Sequence, residues 1–415
     1  MSPRHARSVH VASASQTLLK QARADQESVV SLVQALVRAP SRGGMDLYDE
    51  VVAIATNWLQ DHDLPSRALC EDATGRTLGL VCDVAGEYPG PRYVLDACLD
   101  TAPFGDPAAW RHAPTSGVEE DGWLYGRGAA DSKAAIAIFL HVARRLQEQA
   151  SRLHGTLTLL LDADEHTGQF GGAKRYFGGG DAPRDIAGVM IGYPGSDALV
   201  IGGRGFLRAN LTAHGRAGHT GSRHRTLTGN AVAKAADLVQ TLGRHETPGP
   251  VDASLGLAPR ITVTHIHGGE GFSIVPDRTE VGVDVRLTTT FTASCARRFL
   301  DEVIGEVDRR WPGTARTDVA QHESWPAFRL ADDAPIRLAL AGAAAKHLDG
   351  PVMATVAGPS NIGNYLAQRG IPATAGLGVR YEGLHGADER IDLSTIPAVQ
   401  ATYHDAVLSL LGRPT

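Results

Sequence analysis

Four apolar segments constrain the fold of this chain more than any other feature of its sequence. Each is continuous enough to be a strand buried on both faces: TLGLVCDV (77–84), RYVLDACLD (92–100), GTLTLLLDA (155–163) and GVMIG (188–192). Segments with helical apolar spacing alternate with them, and this alternation predicts an α/β fold with a mostly parallel, helix-covered sheet. The first thirty residues are small and polar, and they predict a loose arm that leads into a helix ending before Pro40.

The pattern changes near residue 204. GFLRANLTAHG (205–215) alternates apolar and polar residues, as a half-solvated strand does. The segments that follow complete the order βαββαβ, which is the ferredoxin-like pattern, and the α/β pattern resumes after residue 324. We therefore expect a small domain at 204–324 inserted into a larger domain formed by 1–203 and 325–415.

Composition excludes several classes of partner. The net charge of −6 gives no basic stripe for nucleic acid, and no apolar run approaches the roughly 18 residues of a membrane helix. The N-terminus has no apolar core of the kind that a signal peptide needs. The four cysteines (Cys70, Cys82, Cys98, Cys295) form no CxxC pair. Reduced thiols and a cytoplasmic location are the expectation.

Polar residues gather where the predicted strands end, which is where α/β sheets bind ligands. They are Cys98 and Asp100 after one strand, Asp131 before a helix, Asp164, Glu165 and His166 after the next strand, Tyr193 after another, and His385 near the end of the chain. Asp131, His166 and His385 would form a two-histidine, one-carboxylate zinc set with an open position. Glu165 could then take a proton from water. From local sequence alone, however, Asp131 is more often a helix cap, and a histidine after a strand is usually a polar loop residue.

Several motifs, in order, carry a resemblance to a known family. They are LDTAP (99–103), DGWLYGRGAADSK (121–133), DEHTG (164–168), GRAGHTGS (215–222), HIHGGEGFSIVPD (265–277) and LHGADERI (384–391). The chain from about residue 28 resembles the zinc-dependent amidohydrolases and exopeptidases that include acetylornithine deacetylase, succinyl-diaminopimelate desuccinylase, aminoacylase and glutamate carboxypeptidase. The resemblance implies a catalytic domain with an inserted lid that also forms a homodimer.

By this resemblance, Asp131 bridges two metals and Glu165 is the general base. His166 stands where a carboxylate ligand is usual, and His385 is the last ligand of the same metal. The other metal usually takes a histidine and an acidic residue, at positions that here carry Cys98 and Tyr193. Because a neutral phenol is a poor ligand, we expect one metal rather than two, most often Zn²⁺, with Co²⁺ or Mn²⁺ as alternatives. Cys98 could still bind as a thiolate, or it could be an inert buried thiol.

The remaining assignments also follow from the resemblance. Asp100 would orient a ligand, and His219 would stabilise an oxyanion in a neighbouring subunit, although a solvated loop histidine is the alternative. Tyr193 could donate a hydrogen bond to an oxyanion or merely fill space. The other substrate-binding candidates are Arg286, Asn361 and Ser273, and Arg286 could equally be an exposed strand arginine.

The expected function is metal-dependent hydrolysis of an amide bond in an N-acyl amino acid or small peptide, without nucleic acid or membrane partners. The altered ligands leave two alternatives. One is an amide-forming or acyl-transferring enzyme of specialised metabolism, and the other is a metal-poor binding protein without hydrolytic activity.

Overall fold

The structure is a computed structural model that describes residues 3–222 and 229–412, with side chains from residue 15 onward. The helices of these residues are α1 Pro3–Arg38, α2 Asp49–Asp61, α3 Ala134–Gln147, α4 Gly171–Gly178, α5 Ala231–Gly243, α6 Ala293–Arg310, α7 Pro335–His347, α8 Ile362–Gln368 and α9 Ile396–Leu411. Shorter turns of 3₁₀ helix lie at Pro107–Ala109, Ala150–Arg152 and Leu393–Thr395, and a π-helical turn lies at Ala129–Lys133. Within the described ranges, no helix combines the length and apolar character needed to cross a membrane.

The strands vary from two to eleven residues. They are β1 Ser66–Cys70, β2 Thr77–Ala85, β3 Tyr88–Cys98, β4 Val118–Glu120, β5 Trp123–Tyr125, β6 His154–Asp162, β7 Ile186–Ile191, β8 Ala198–Gly203, β9 Gly205–His214, β10 Gly218–His219, β11 Arg260–Gly268, β12 Ile274–Val275, β13 Arg278–Leu287, β14 Asp318–Trp325, β15 Phe328–Arg329, β16 Met353–Ala357, β17 Ala373–Gly376, β18 Tyr381–Glu382 and β19 Arg390–Asp392.

The chain divides into two compact units. The first comprises Met1–Ile201, Leu330–Thr355 and Gly370–Thr415, and the second comprises Gly202–Arg329 and Val356–Arg369. These divisions lie close to the expected ones at 203/204 and 324/325. The second unit also takes the short segment around α8, because the side-chain amide of Asn364 on this helix donates to the carbonyls of Arg204 and Pro326.

The large sheet has the strand order β1-β2-β6-β3-β7-β17-β8-β15, with β16 paired to β8. Its central strands β6, β3, β7 and β17 pair in parallel, whereas the outer strands pair antiparallel. Helix α3 is buried over most of its length, as its nearly uninterrupted apolar sequence predicts, and it joins α1, α2 and α9 in the main core. The predicted α/β class with a mostly parallel central sheet is confirmed.

The second unit contains the predicted βαββαβ order as β9-α5-β11-β13-α6-β14. Its four-stranded sheet has the order β11-β13-β9-β14, with every neighbouring pair antiparallel, as in ferredoxin-like folds. Apolar residues of the sheet and of α5 and α6 form one core cluster. A small antiparallel pair of strands, β10 with β12, is separate from this sheet.

The N-terminal segment differs from the expectation of a loose arm. Helix α1 extends from Pro3 to Arg38, so the helix begins far earlier than the sequence pattern indicates. Tertiary contacts account for the described part of this extension, since Leu18 and Ala22 are buried against Ala401 of α9. Asp25 is also buried, and its carboxylate accepts hydrogen bonds from Arg144, Arg145 and Gln400. Packing against distant elements therefore overrides the weak local signal.

Candidate metal and catalytic site

The candidate site lies in the first unit, at the carboxyl ends of three neighbouring parallel strands. Cys98 ends β3, the loop with Asp164, Glu165 and His166 follows β6, and Tyr193 follows β7. The chain thus brings these side chains to one edge of the sheet, as expected for a doubly wound α/β fold. The π-helical turn before α3 and the loop before β19 add Asp131 and His385.

Asp131, His166 and His385 lie together in the structure. One ligand atom from each of these residues lies within 4.8 Å of those of the other two. The Oδ2 atom of Asp131 is 3.1 Å from Nε2 of His385 and 3.6 Å from Nε2 of His166. The imidazole rings of His166 and His385 pack edge to face, with centroids 5.2 Å apart. This is a donor set of the size and chemistry that a divalent ion requires.

A buried ion pair holds two of these ligands in place. The carboxylate of Glu389 pairs with the guanidinium of Arg127 and also accepts hydrogen bonds from the backbone N–H groups of Ala130 and Asp131. Arg127 in turn donates to the carbonyl of His385 at 3.0 Å. His385 has a φ of 58°, so its backbone adopts a left-handed conformation that these contacts fix.

Asp100 organises the loop after β6. Its Oδ1 accepts the backbone N–H of Glu165 at 3.1 Å, and its Oδ2 accepts that of His166 at 2.9 Å. The same Oδ2 atom is 3.6 Å from Nδ1 of His166. The carboxylate therefore lies behind the imidazole, on the side opposite Asp131, where it can orient a metal-binding histidine.

Gly43 explains how the loop after α1 can approach this carboxylate. A Cβ atom at residue 43 would lie 2.9 Å from Oδ2 of Asp100 and 3.2 Å from Cβ of His166. A side chain here would therefore displace the groups that position the site, and glycine removes that conflict.

Glu165 lies between the histidine and the tyrosine. The hydroxyl of Tyr193 donates to Oε1 of Glu165 at 2.8 Å, while Oε2 is 3.3 Å from Nδ1 of His166. Burial and the neighbouring carboxylate of Asp131 raise the pKa of Glu165, although His166 acts in the opposite direction. A carboxylate with a raised pKa is suited to take and return a proton near neutral pH.

The electrostatics of the pocket favour positive charge. Burial alone would lower the pKa of His166, but the carboxylates of Asp100, Asp131 and Glu165 outweigh it and raise this pKa to about 11. Burial would raise the pKa of Asp131, yet His166 and His385 bring it below its usual range. Each group thus stabilises the charge of the other, and a cation among them would be stabilised in the same way.

A further observation indicates that these residues fit a metal ion. Both ring nitrogens of His166 are buried, and neither has a hydrogen-bond partner among the residues that the structure describes. Buried polar atoms are normally satisfied, so nitrogens left in this state indicate a missing partner. An ion next to Asp131 would give Nε2 that partner.

Cys98 is a weaker candidate for a metal ligand. Its Sγ is 3.1 Å from Oγ of Ser132 and 3.8 Å from Oδ1 of Asp131, and it forms a possible ligand cluster with Asp100 and His166. Both oxygens of Asp100, however, already accept backbone N–H groups. Burial raises the pKa of the Cys98 thiol well above its ordinary value, which disfavours the thiolate that a metal would need.

The other predicted residues belong to the second unit and form two groups there. Arg286 lies 3.4 Å from Oγ of Ser360, next to Asn361, whose side chain caps α8 by accepting the N–H of Gly363. His219 lies in the antiparallel β10–β12 pair, where Ser273 accepts the N–H of Thr220 through its backbone carbonyl. Both His219 and Ser273 are exposed.

Sequence reasoning missed several residues that shape the site. The motif at 384–391 includes Glu389 without indicating its role, and the sequence indicates no structural role for Arg127 or Gly43. Tyr48 and Arg76 were also missed; both donate to the carboxylate of Asp164, which holds the loop before Glu165. An arginine and a glutamate 262 positions apart give no local signal of pairing. Two adjacent glycines at residues 43 and 44 were the one available hint of a close backbone approach.

Comparison with known proteins identifies the family of the chain. The family model described as Peptidase family M20/M25/M40 matches residues 94–409, which is more than half of the chain. A succinyl-diaminopimelate desuccinylase from Alkalilimnicola ehrlichii is 27% identical over 341 residues, covering 78% of this chain and 85% of the relative. An acetylornithine deacetylase from Edwardsiella ictaluri is 27% identical over 320 residues, covering 74% and 80%.

A solved structure shows the same fold. The Bacillus subtilis YXEP protein, described as a dinuclear metal binding peptidase from the M20 family, aligns with a TM-score of 0.70. The alignment covers 94% of this chain and 99% of that protein at 15% identity. The resemblance drawn from the motifs is confirmed, and the chain belongs to Peptidase family M20/M25/M40.

Proposed function

We propose that this protein is a metal-dependent hydrolase of amide bonds in N-acyl amino acids or small peptides, and that it works with one ion per chain. The observation that carries the proposal is the set of donor atoms from Asp131, His166 and His385, which lie within 4.8 Å of one another beside Glu165. The relatives named above are a desuccinylase and a deacetylase, and both names indicate the removal of an acyl group.

Asp131, His166 and His385 would hold the ion, with Zn²⁺ as the first choice and Co²⁺ or Mn²⁺ as alternatives. When bound, the ion would supply a Lewis acid that polarises the substrate carbonyl and makes water easier to deprotonate. Asp100 supports His166 from behind, and Arg127 with Glu389 supports His385 and Asp131.

Glu165 acts first as the general base and then as the general acid of the reaction. Water adds to the carbonyl carbon while Glu165 accepts the proton that water loses. The same proton passes to the amide nitrogen as the C–N bond breaks, which gives a carboxylic acid and an amine; the acid then loses its proton to the amine, so the products are a carboxylate and an ammonium group. The Glu165 side chain is 19% exposed, so a small molecule can approach it from solvent.

One ion rather than two is proposed because the second position lacks good ligands. The hydroxyl of Tyr193 donates a hydrogen bond to Glu165 and keeps its proton. Burial and the nearby carboxylate of Glu165 raise the pKa of Tyr193 well above its ordinary value, so the phenol stays neutral. Neutral phenols bind cations poorly, and Cys98 faces the same difficulty as a buried thiol.

The test is a panel of N-acetyl and N-succinyl amino acids and dipeptides, offered to the zinc-loaded protein with release of the free amine as the readout. We expect turnover of at least one class, and Glu165→Gln should lower kcat by about 10²–10⁴ while the ion content stays unchanged. Glu302→Gln, an exposed change on α6, serves as the control.

Two results would contradict the proposal. One is an ion-loaded protein that releases amine from no member of the panel. The other is Glu165→Gln with the full rate of the parent. Amide formation from an acyl donor and an amine by a protein that hydrolyses nothing would favour the acyl-transfer alternative. The roles of Arg286, Asn361, Ser273 and His219, the homodimer and the cytoplasmic location stay predictions drawn from the sequence.

A further inference from the structure

Tyr193 is the residue of the site whose role the family resemblance does not supply. It follows β7 at a position where the family resemblance implies an acidic metal ligand. In this chain its hydroxyl donates a hydrogen bond of 2.8 Å to Oε1 of Glu165. Tyr193 thus contacts the proposed general base directly and does not act as a metal ligand.

Glu165 has few other contacts that could fix its carboxylate. Its backbone N–H is held by Asp100, but that contact does not restrain the end of the side chain. Its Oε2 pairs with Nδ1 of His166 at 3.3 Å, but this contact does not have the geometry of a hydrogen bond. The hydroxyl of Tyr193 is therefore the one side-chain hydrogen-bond donor that the described residues provide to this carboxylate.

The geometry leaves Glu165 free to act as a base. A carboxylate oxygen has two lone pairs, and Tyr193 occupies one of those on Oε1. The other lone pair of Oε1 remains for a water proton, while Oε2 lies beside the imidazole of His166. A carboxylate that can rotate freely would spend much of its time in unproductive orientations. Each turnover would then include the loss of conformational entropy that fixing the carboxylate requires.

We propose that Tyr193 is a positioning residue, whose hydroxyl fixes the carboxylate of Glu165 in one orientation for proton transfer. The proposal rests on the proposed hydrolytic function. Tyr193 keeps its own proton throughout, while Glu165 takes one proton from water and returns it to the leaving amine.

The first test compares kinetic constants in two backgrounds. Tyr193→Phe should lower kcat about tenfold, with KM within twofold and ion content unchanged, because it removes one oriented hydrogen bond from the base. In a Glu165→Asp background, whose shorter side chain cannot reach the hydroxyl, Tyr193→Phe should change kcat by less than twofold. Tyr403→Phe, which removes a buried hydroxyl bonded to the carbonyl of Leu377, is the matched control and should leave kcat unchanged.

A structural readout separates this proposal from the proposed function. Crystal structures of the metal-free parent and of Tyr193→Phe would show whether the Glu165 carboxylate changes orientation, whether or not the protein hydrolyses anything. We expect one orientation in the parent and a rotated or split carboxylate in the variant. An unchanged carboxylate in Tyr193→Phe, an unchanged kcat, or an equal loss of kcat in both backgrounds would overturn the proposal. Absence of hydrolysis with a rotated carboxylate would overturn the function and retain the positioning role.

Discussion

At the scale of single residues, Asp100 positions the groups proposed to carry out the reaction. It is fully buried at the end of β3, and its two oxygens accept the backbone N–H groups of Glu165 and His166. One side chain therefore places both the base and a metal ligand. Its Oδ2 atom also lies within 3.6 Å of Nδ1 of His166 and can favour the tautomer that binds metal through Nε2.

Asp100→Asn should weaken ion binding without unfolding the protein. An amide of the same size keeps one acceptor, but it turns a donor toward one of the two backbone N–H groups. We expect an ion affinity about 10–100-fold lower, measured by competition with a chelator. Asp318→Asn, an exposed change in β14, is the control, and equal affinities in the parent and Asp100→Asn would contradict this role.

The sequence predicted the residues that carry reactive groups better than the contacts among them. Asp131, Glu165, His166 and His385 were found because strand ends and motifs mark their positions. The sequence did not predict the hydrogen bond from Tyr193 to Glu165, because it left Tyr193 as either a donor to an oxyanion or a space-filling residue. Residues 28 positions apart on different strands meet only once the order of strands in the sheet is known.

At the scale of elements, the site depends on two loops joined by one buried ion pair. Glu389 and Arg127 are almost fully buried, and together they contact Ala130, Asp131 and the carbonyl of His385. The turn before α3 and the loop before β19 are thus fixed relative to each other. A metal ligand on each loop then needs little reorganisation to bind an ion.

Glu389→Gln should destabilise the fold and weaken ion binding together. The substitution leaves the guanidinium of Arg127 buried without its counter-charge, which costs about 3–5 kcal/mol in the free energy of unfolding. Urea denaturation measures this loss. Asp181→Asn breaks an exposed ion pair with Arg175 that water screens, so the free energy of unfolding should change little. Equal losses in the two variants would show that the buried pair has no special role.

Elements were predictable where their apolar pattern was continuous. The strands that became β2, β3, β6 and β7 and the helix α3 lie close to their expected positions. Helix α1 was underestimated because its first half is held by α9 and by the ion pairs of Asp25, which are contacts that no local window contains. Short strands such as β4, β5, β18 and β19 gave too little pattern to be recognised.

At the scale of the whole molecule, two buried histidines outside the site make stability depend on pH. His141 on α3 donates from Nδ1 to the carbonyl of Ala137, and its Nε2 accepts from the hydroxyl of Ser28. His404 on α9 is also buried. Burial lowers the pKa of each to about 4 from an ordinary value of 6.5.

The sign of the effect follows from proton binding. Between pH 6.5 and 4 the unfolded chain binds protons at these histidines and the folded chain does not, so stability falls as pH falls through this window. Each histidine contributes at most about 3 kcal/mol to the change. Above pH 6.5 both contributions are fully present.

His141→Gln should therefore flatten the dependence of the unfolding free energy on pH. Urea denaturation at pH 7.5 and at pH 5 measures the difference for the parent, for this variant and for His322→Gln, an exposed control. We expect the parent and the control to lose the same amount on acidification, and His141→Gln to lose less. Equal losses in all three proteins would contradict the assignment.

The central claim is that Asp131, His166 and His385 hold a single ion, and the most direct test is the number of divalent ions per chain. Elemental analysis after purification without chelators should give about one ion per chain for the parent, and almost none for His166→Ala or His385→Ala. Two ions per chain in the parent, or unchanged ion content in both histidine variants, would contradict the account.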